Sequence, residues 1–487
     1  MDDTRKQTLL SRRNFLRLGG GLTLTAMLAA CGASTTAPAA EAPAAGGEAA
    51  APTAAPAAEA PAPTEVPAAP EAPAEPTAAV AEFGTGEATV FWHGLGGADG
   101  ATLVSMLETY SKDNGAVRSE TYAWDVFYQK LPTATVAGTP PDLACLHEWG
   151  ILQFATQGVI QPVDDIFFGS GLIPKDDFNQ DLINKITIDG KVYAIPFDNH
   201  GWGMYVNTKV ISDAGLDPNN LPKNQAEFIE WAQKVTVDEN GKHPNEDGFD
   251  QDRVKVWALH NSWQRFTMPS TFWQFGGDMI DAEGKKSLLD SEGTIAAVQI
   301  WHDLMYKYRV VPPAVPGQVG AYDMYKTNSL ALMWDGSWSL NFFKDNPELE
   351  KVTYATRLNS LAPDGKQAAK FGSHMLVIPS GVSDAGLERA KKLITWLSNN
   401  GKTWATSGQI PARLSVQQDP EVQGIWSVKA YAEQFAAVGR TDNVHKSASE
   451  IQTAWEAAVS AALANTTPVK DALTEGSKQI QAILDRG

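Results

Sequence analysis

Ala88-Thr89-Val90-Phe91-Trp92, then Leu103, Met106, Leu107 and Tyr110, then Phe127, Leu131 and Ala134, then Leu143-Ala144-Cys145-Leu146: this stretch decides the fold. The first run is β-rich and ends in a Gly-rich turn. The next two sets fall at helical spacing, and the second of them is stopped by Gly138 and the Pro140-Pro141 pair. The last run is a short buried strand. Strands alternating with helices predict a parallel sheet covered on both faces, an α/β architecture. The pattern resumes at Tyr193-Ala194-Ile195-Pro196, in a helix from about Gln225 to Val235, and in a helix carrying Ala297, Ile300, Trp301, Leu304, Met305 and Tyr308. Met375-Leu376-Val377-Ile378 reads as a later strand, and Leu387, Ala390, Ile394 and Leu397 as one face of the helix after it. The end of the chain, with Ile451, Trp455 and Ala458, reads as helical.

A chain of 487 residues is too long for one ordinary domain. Its formal net charge is −18; Arg5, Lys6, Arg12, Arg13 and Arg17 against Asp2 and Asp3 give the first 30 residues +3, so the remainder carries −21. Such a surface repels phosphate backbones, and no nucleic-acid partner is expected. Of the two cysteines, Cys145 sits in an apolar run as a small buried hydrophobe, so neither a disulfide frame nor a zinc site with cysteine-pair spacing is possible.

The other cysteine belongs to an address. Ser11-Arg12-Arg13-Asn14-Phe15-Leu16-Arg17 resembles the twin-arginine export signal, with Arg17 where lysine is commoner. The weakly apolar stretch that follows is too short for a permanent membrane span and closes on Leu28-Ala29-Ala30-Cys31, similar to a lipobox. Residues 1–31 are therefore expected to be a lipoprotein signal, with Cys31 lipidated as the new N-terminus and anchoring the protein outside the cytoplasm. From 32 to 85 the composition collapses to Ala, Pro, Glu, Thr and Gly, which predicts a disordered tether reaching on the order of 150 Å at ~3.1 Å per residue. The acidic run from Asp238 to Asp252 does not fit the EF-hand spacing and predicts a solvated surface hairpin.

A series of short motifs runs in order through the rest. They are Ala137-Gly138-Thr139-Pro140-Pro141-Asp142-Leu143, Gln157-Gly158-Val159-Ile160-Gln161-Pro162-Val163-Asp164-Asp165, and Gly190-Lys191-Val192-Tyr193-Ala194-Ile195-Pro196-Phe197 with Tyr205-Val206-Asn207-Thr208-Lys209. Phe275-Gly276-Gly277 with Asp281 and Gly284, Ala331-Leu332-Met333-Trp334-Asp335-Gly336-Ser337-Trp338, and Gly408-Gln409-Ile410-Pro411-Ala412-Arg413 complete the series. Together they resemble the family 1 extracellular solute-binding proteins, relatives of the maltose-binding protein. The departures are Val206, where a second tyrosine is usual, and Ser373, which replaces a glycine. The resemblance implies a two-lobe periplasmic-binding-protein fold of type II, with a ligand held in the cleft by hinge closure. It places lobe 1 at 86–200 plus about 373–403, and lobe 2 at 201–372 plus about 404–487. Crossings are expected near Asp198–Tyr205, near Phe371–Met375, and after Asn400. It also implies a monomer that delivers a sugar, a di- or oligosaccharide or related polyol, to the membrane subunits of an ABC importer.

Ligands of open α/β sheets sit outside the carboxyl ends of the strands. Those ends nominate Trp92 and His93, then His147, Glu148 and Trp149, then Asn199, His200 and Trp202. The second half adds Trp263, Arg265, Phe266, Trp273, Asp335 and Trp338, and Ser373, His374 and Arg413 close the ring. Eight of the fifteen tryptophans fall at or near these loops, Trp124 among them. Indole faces suit the C–H faces of a sugar, and carboxylates, amides and imidazoles suit its hydroxyls. Trp338, which matches the aromatic of the family's Gly-x-Trp turn, is the expected stacking platform.

Four of the eight histidines, His93, His147, His200 and His374, stand at predicted strand ends. They are more than fifty residues apart, so no local metal-ligand spacing exists; hydrogen bonding to a polar solute is the reading, with a metal or metal chelate as its alternative. Hydrogen bonding by these rings predicts affinity that falls below about pH 6. A secreted carbohydrate-active hydrolase is the rival function, but no marked carboxylate pair, Gly-x-Ser-x-Gly elbow, P-loop or His-Glu-x-x-His helix supports it. No haem, iron–sulfur or dinucleotide motif is present, and no cofactor is expected.

Overall fold

A computed structural model describes residues 78–314 and 319–486. The export signal, Cys31 and most of the expected tether lie outside the described residues.

The opening stretch folds as its pattern predicts. Thr89–His93, Val117–Thr121 and Leu143–His147 pair in parallel, Thr89–His93 in the centre, with helices Gly100–Asn114 and Trp124–Val136 between them. His374–Val377 enters antiparallel beside Leu143–His147 and is followed by Ile195–Pro196. An added strand, Ala79–Phe83, pairs antiparallel with Val117–Thr121 at the outer edge. This corrects the tether boundary of 85: Ala-Val-Ala-Glu-Phe continues the Ala- and Glu-rich composition of the tether, and as an edge strand it leaves most of its side chains exposed.

The second sheet is built on Asp198–Asn207, whose ten residues are all buried. Leu330–Gly336, Thr353–Thr356, Ala369–Gly372 and Ile410–Pro411 all pair antiparallel with it at different points along its length. Val254–Leu259 runs parallel to Leu330–Gly336. Helix Gln225–Val235 starts on an Asn224 cap, the side chain accepting from the Glu227 N–H. Helix Glu292–Tyr306 buries Ala297, Ile300, Trp301, Leu304 and Met305 but ends before Tyr308, since Arg309 has turned into the left-handed region.

Each sheet has its own apolar core. One contains Phe91, Leu107, Phe127, Cys145, Ile195, Leu376 and Leu397; the other contains Tyr205, Trp257, Trp301, Trp334, Phe371, Tyr431 and Leu473. The chain passes from the first core to the second between Phe197 and Trp202, and returns between Phe371 and Met375. It crosses again at Trp404–Ala405. At the return, Ser373 ties the crossings together. Its N–H donates to Glu148 Oε2 (2.8 Å), and its hydroxyl donates to the Asp198 carbonyl.

In the acidic run, Asp238 is buried and its carboxylate accepts the N–H groups of Asn240, Lys242 and Asp250. The loop folds around its own carboxylate, with Val237-Asp238 paired to the strand Val254–Leu259. No helix among the described residues is long and apolar enough to cross a membrane.

Candidate functional site

A cavity of about 300 Å³ lies between the two cores. One wall is the loop Gly94–Asp99 after the first parallel strand, with Trp124 and the His147-Glu148-Trp149 strand end. The other wall carries Trp263, Arg265, Phe266, Tyr322 and Trp338. The crossing strands supply His200, Lys370, Gly372 and His374.

The aromatic walls are set by backbone that leaves them room. A Cβ on Gly336 would stand 2.3 Å from the Trp338 ring, and one on Gly94 would stand 2.2 Å from Trp124. Each indole therefore lies directly against main chain that only glycine can form here. Trp338 meets Phe266 edge-on at 5.2 Å and Trp263 edge-on at 6.0 Å. Opposite, Trp124 lies nearly parallel to the His374 ring at 5.8 Å.

Buried polar groups converge below these rings. Asp198 is saturated: its carboxylate accepts from Trp404 Nε1 (2.7 Å) and the His374 N–H (3.1 Å), and is bonded to the Nδ1 atoms of His374 (2.8 Å) and His200 (3.1 Å). Burial opposes its charge, but His374 and these hydrogen bonds outweigh burial and hold the carboxyl well below its ordinary range. Burial would also lower His374, yet the Asp198 carboxylate raises it above the ordinary imidazole value. His200 moves the other way, down to about 4, through burial and then the neighbouring His374. His147 is likewise lowered by burial, then by His374 and His200. Glu148 is pushed up to about 7 by burial, against the Ser373 N–H that favours its charge. Burial thus moves both His147 and His200 away from the ordinary imidazole value on which the expected fall in affinity below about pH 6 rests.

His147, Glu148, His200, Trp263, Trp338 and His374 meet in the cavity, as do Arg265 and Phe266. Trp149 lines it too, as does Trp124. The other nominated residues do not line it, each for a visible reason. Trp92 packs edge-on against Tyr122 (5.2 Å). His93 is buried on the Ser119 hydroxyl (2.7 Å) and accepts the Leu95 N–H. Asn199 is buried at the point where its strand pairs with Ile410. Trp202 is fully buried and stacks on Phe266 at 5.5 Å, so it supports the wall from behind. Trp273 is buried with the Arg440 guanidinium over its ring at 4.6 Å. Asp335 sits one layer back, accepting from Tyr322, Ser339 and the Gly336 N–H. Ser373 is spent on the crossing, and Arg413 is paired with Asp177.

Several wall residues escaped the sequence. The Gly94–Asp99 loop had a usable signal, a Gly-rich turn at the carboxyl end of the first strand. Gln409 lay inside the quoted Gly408–Arg413 motif, while Tyr322, Lys370 and Gln452 come from positions with no periodic or spacing cue.

Residues 94–404 match the family described as bacterial extracellular solute-binding protein. The chain belongs to that family. An arabinooligosaccharide-binding protein of Halalkalibacterium halodurans is 26% identical over 66% of this chain and 69% of its own length. A maltotriose-binding protein of Pyrococcus abyssi is 24% identical over 70% of each. Among solved structures, an ABC transporter solute-binding protein from Thermotoga lettingae, bound with α-D-tagatose, superposes with a TM-score of 0.71. It is 22% identical, over 82% of this chain and 100% of that one. This solute-binding protein thus shares the two-lobe fold and acts outside the cytoplasm.

Proposed function

We propose that this solute-binding protein captures a small sugar or related polyol in the cavity between its lobes and hands it to the membrane subunits of an ABC importer. The observation that carries the reading is the cavity's composition: indole rings on both walls and a phenyl ring on one, over a floor of imidazoles and carboxylates. C–H faces of a pyranose lie on the rings, and its hydroxyls satisfy the floor. The arabinooligosaccharide and maltotriose specificities of the two relatives point to the same class.

The lobes, 86–200 with the edge strand Ala79–Phe83 and about 373–403, and 201–372 with about 404–487, close about the crossing strands around the ligand. The same reading has the protein work as a monomer that binds rather than cleaves, tethered by lipid on Cys31 after twin-arginine export. Mass spectrometry of solute retained through purification, followed by a thermal-shift panel of sugars, tests the function. A sugar at 100 times its Kd adds about 2.7 kcal/mol of stability. A panel in which no sugar or polyol shifts the transition, with no sugar retained, defeats the proposal. Palmitate labelling that persists in Cys31→Ala defeats the anchor.

A further inference from the structure

Beyond the sugar reading, we infer that His147, His200 and His374 form a binding site for a divalent first-row transition cation at the floor of the cavity. One ligand nitrogen from each ring lies within 4.8 Å of one from each of the others. The three come from separate segments: the end of Leu143–His147, the first crossing strand and the returning strand. Only the fold brings them together.

Their outer hydrogen bonds carry the argument. His200 and His374 both turn Nδ1 to Asp198, and His147 turns Nδ1 to the Tyr128 hydroxyl (2.6 Å). What each ring has left to offer is Nε2. An imidazole held at one nitrogen by a carboxylate or hydroxyl, with the other free, is the arrangement that orients a metal-binding histidine. Asp198 is itself fixed by the Trp404 indole and the His374 N–H, so the orienting group does not swing.

Two buried atoms in this space have no partner: His200 Nε2 and Glu148 Oε1. His200 is 1% and Glu148 2% exposed, and both line the cavity. A Cβ on Gly372 would stand 2.8 Å from His200 Nε2 and 3.1 Å from Glu148 Oε2, so both side chains face one small space that glycine keeps open. Leaving a buried polar atom unpaired is costly, and a cation on His200 Nε2 removes that cost there. Three imidazoles select zinc, nickel, cobalt or copper over magnesium or calcium. With Zn–N near 2.0–2.1 Å, tetrahedral geometry sets ring nitrogens about 3.4 Å apart, so the side chains draw in by up to about 1.4 Å. Two of the three rings sit on crossing strands, and the cation bridges those strands to the first lobe's sheet.

The test uses the protein purified without a polyhistidine tag, stripped with EDTA and titrated with zinc chloride alone by calorimetry. One zinc per chain is expected, with micromolar or tighter Kd, and cobalt chloride is expected to give the visible absorption of a tetrahedral histidine site. His200→Gln and His374→Gln should each weaken zinc at least about 100-fold, while His302→Gln, on the outer face of its helix, leaves it unchanged. The titration of the unsubstituted protein keeps the inference exposed even if a buried variant fails to fold. No stoichiometric heat and no zinc-induced rise in Tm overturn it. So does zinc binding of unchanged affinity in a folded His200→Gln protein. Sugar binding is read separately, in EDTA, so either proposal can fail without the other.

Discussion

Arg265 of one lobe donates to Asp125 of the other across the mouth of the cavity, at 2.7 Å. Glu456 holds the same guanidinium from behind, so the arginine is fixed on its own lobe and reaches for Asp125. Asn341 spans the gap to the Ala98 carbonyl (2.8 Å), and Gln153 accepts the Ser449 N–H (3.0 Å). These bonds describe a closed cleft.

Asp125→Ala is expected to speed ligand release. Its side chain is 72% exposed, so the pair is screened and is worth less than about 1 kcal/mol. The expected rise in Kd is therefore no more than about five-fold, mostly in koff. Stopped-flow release measured with a retained sugar checks this. An unchanged koff would show that the contact does not hold the lobes together.

Trp338 and Trp202 separate binding from stability. Trp338 faces the cavity, and Trp338→Ala is expected to weaken sugar binding by ~2 kcal/mol or more, about thirty-fold, with a modest loss of Tm. Trp202 is fully buried behind Phe266, and Trp202→Ala is expected to cost about 3–5 kcal/mol of folding stability. Calorimetry and thermal melts on both variants check the contrast. Equal affinity in Trp338→Ala and wild type would remove the stacking platform.

That contrast shows where the sequence was legible. Trp338 could be picked out because the turn Gly336-Ser337-Trp338 is a local motif, and its glycine is required for the ring to lie flat. Trp202 lies in a strand buried along its whole length, where period-two alternation disappears and nothing marks which face meets a ligand. The helices Gln225–Val235 and Asp384–Asn399 were readable because each carries one apolar face and a cap. The convergence of His147, His200 and His374 was not. Strand ends could nominate each one, but only the crossing topology brings them together, two of them on the Asp198 carboxylate.

Asp335 gives a pH signature in stability. It is buried, and burial raises it from the ordinary 3.8 to about 6, partly offset by the Gly336 N–H and by Ser339 and Tyr322. The folded protein therefore keeps this proton where the unfolded chain has lost it. The stabilisation is fully present below about pH 4 and is lost as pH rises through 6. Relative to Asp335→Asn, wild type should lose on the order of 3 kcal/mol between pH 4 and 7. Urea melts of both proteins across that range read the difference. Parallel pH profiles would mean that Asp335 is charged throughout.

The added edge strand makes the last test. Ala79–Phe83 pairs residue for residue with Thr121–Val117, and Phe83 packs against the first core. A chain beginning at Ala78 keeps these contacts; one beginning at Gly84 loses them and bares the edge of Val117–Thr121. Most side chains of the strand are exposed, so the loss is small beside that of a core strand, about 1–3 kcal/mol. Tm is expected to fall by about 2–5 °C in the shorter chain, with sugar affinity unchanged because no described residue before Gly94 lines the cavity. The longer chain should melt with the full-length protein. Identical melting of the two truncated chains would mean that the strand adds nothing to the fold and that the tether runs on to the residues before Thr89.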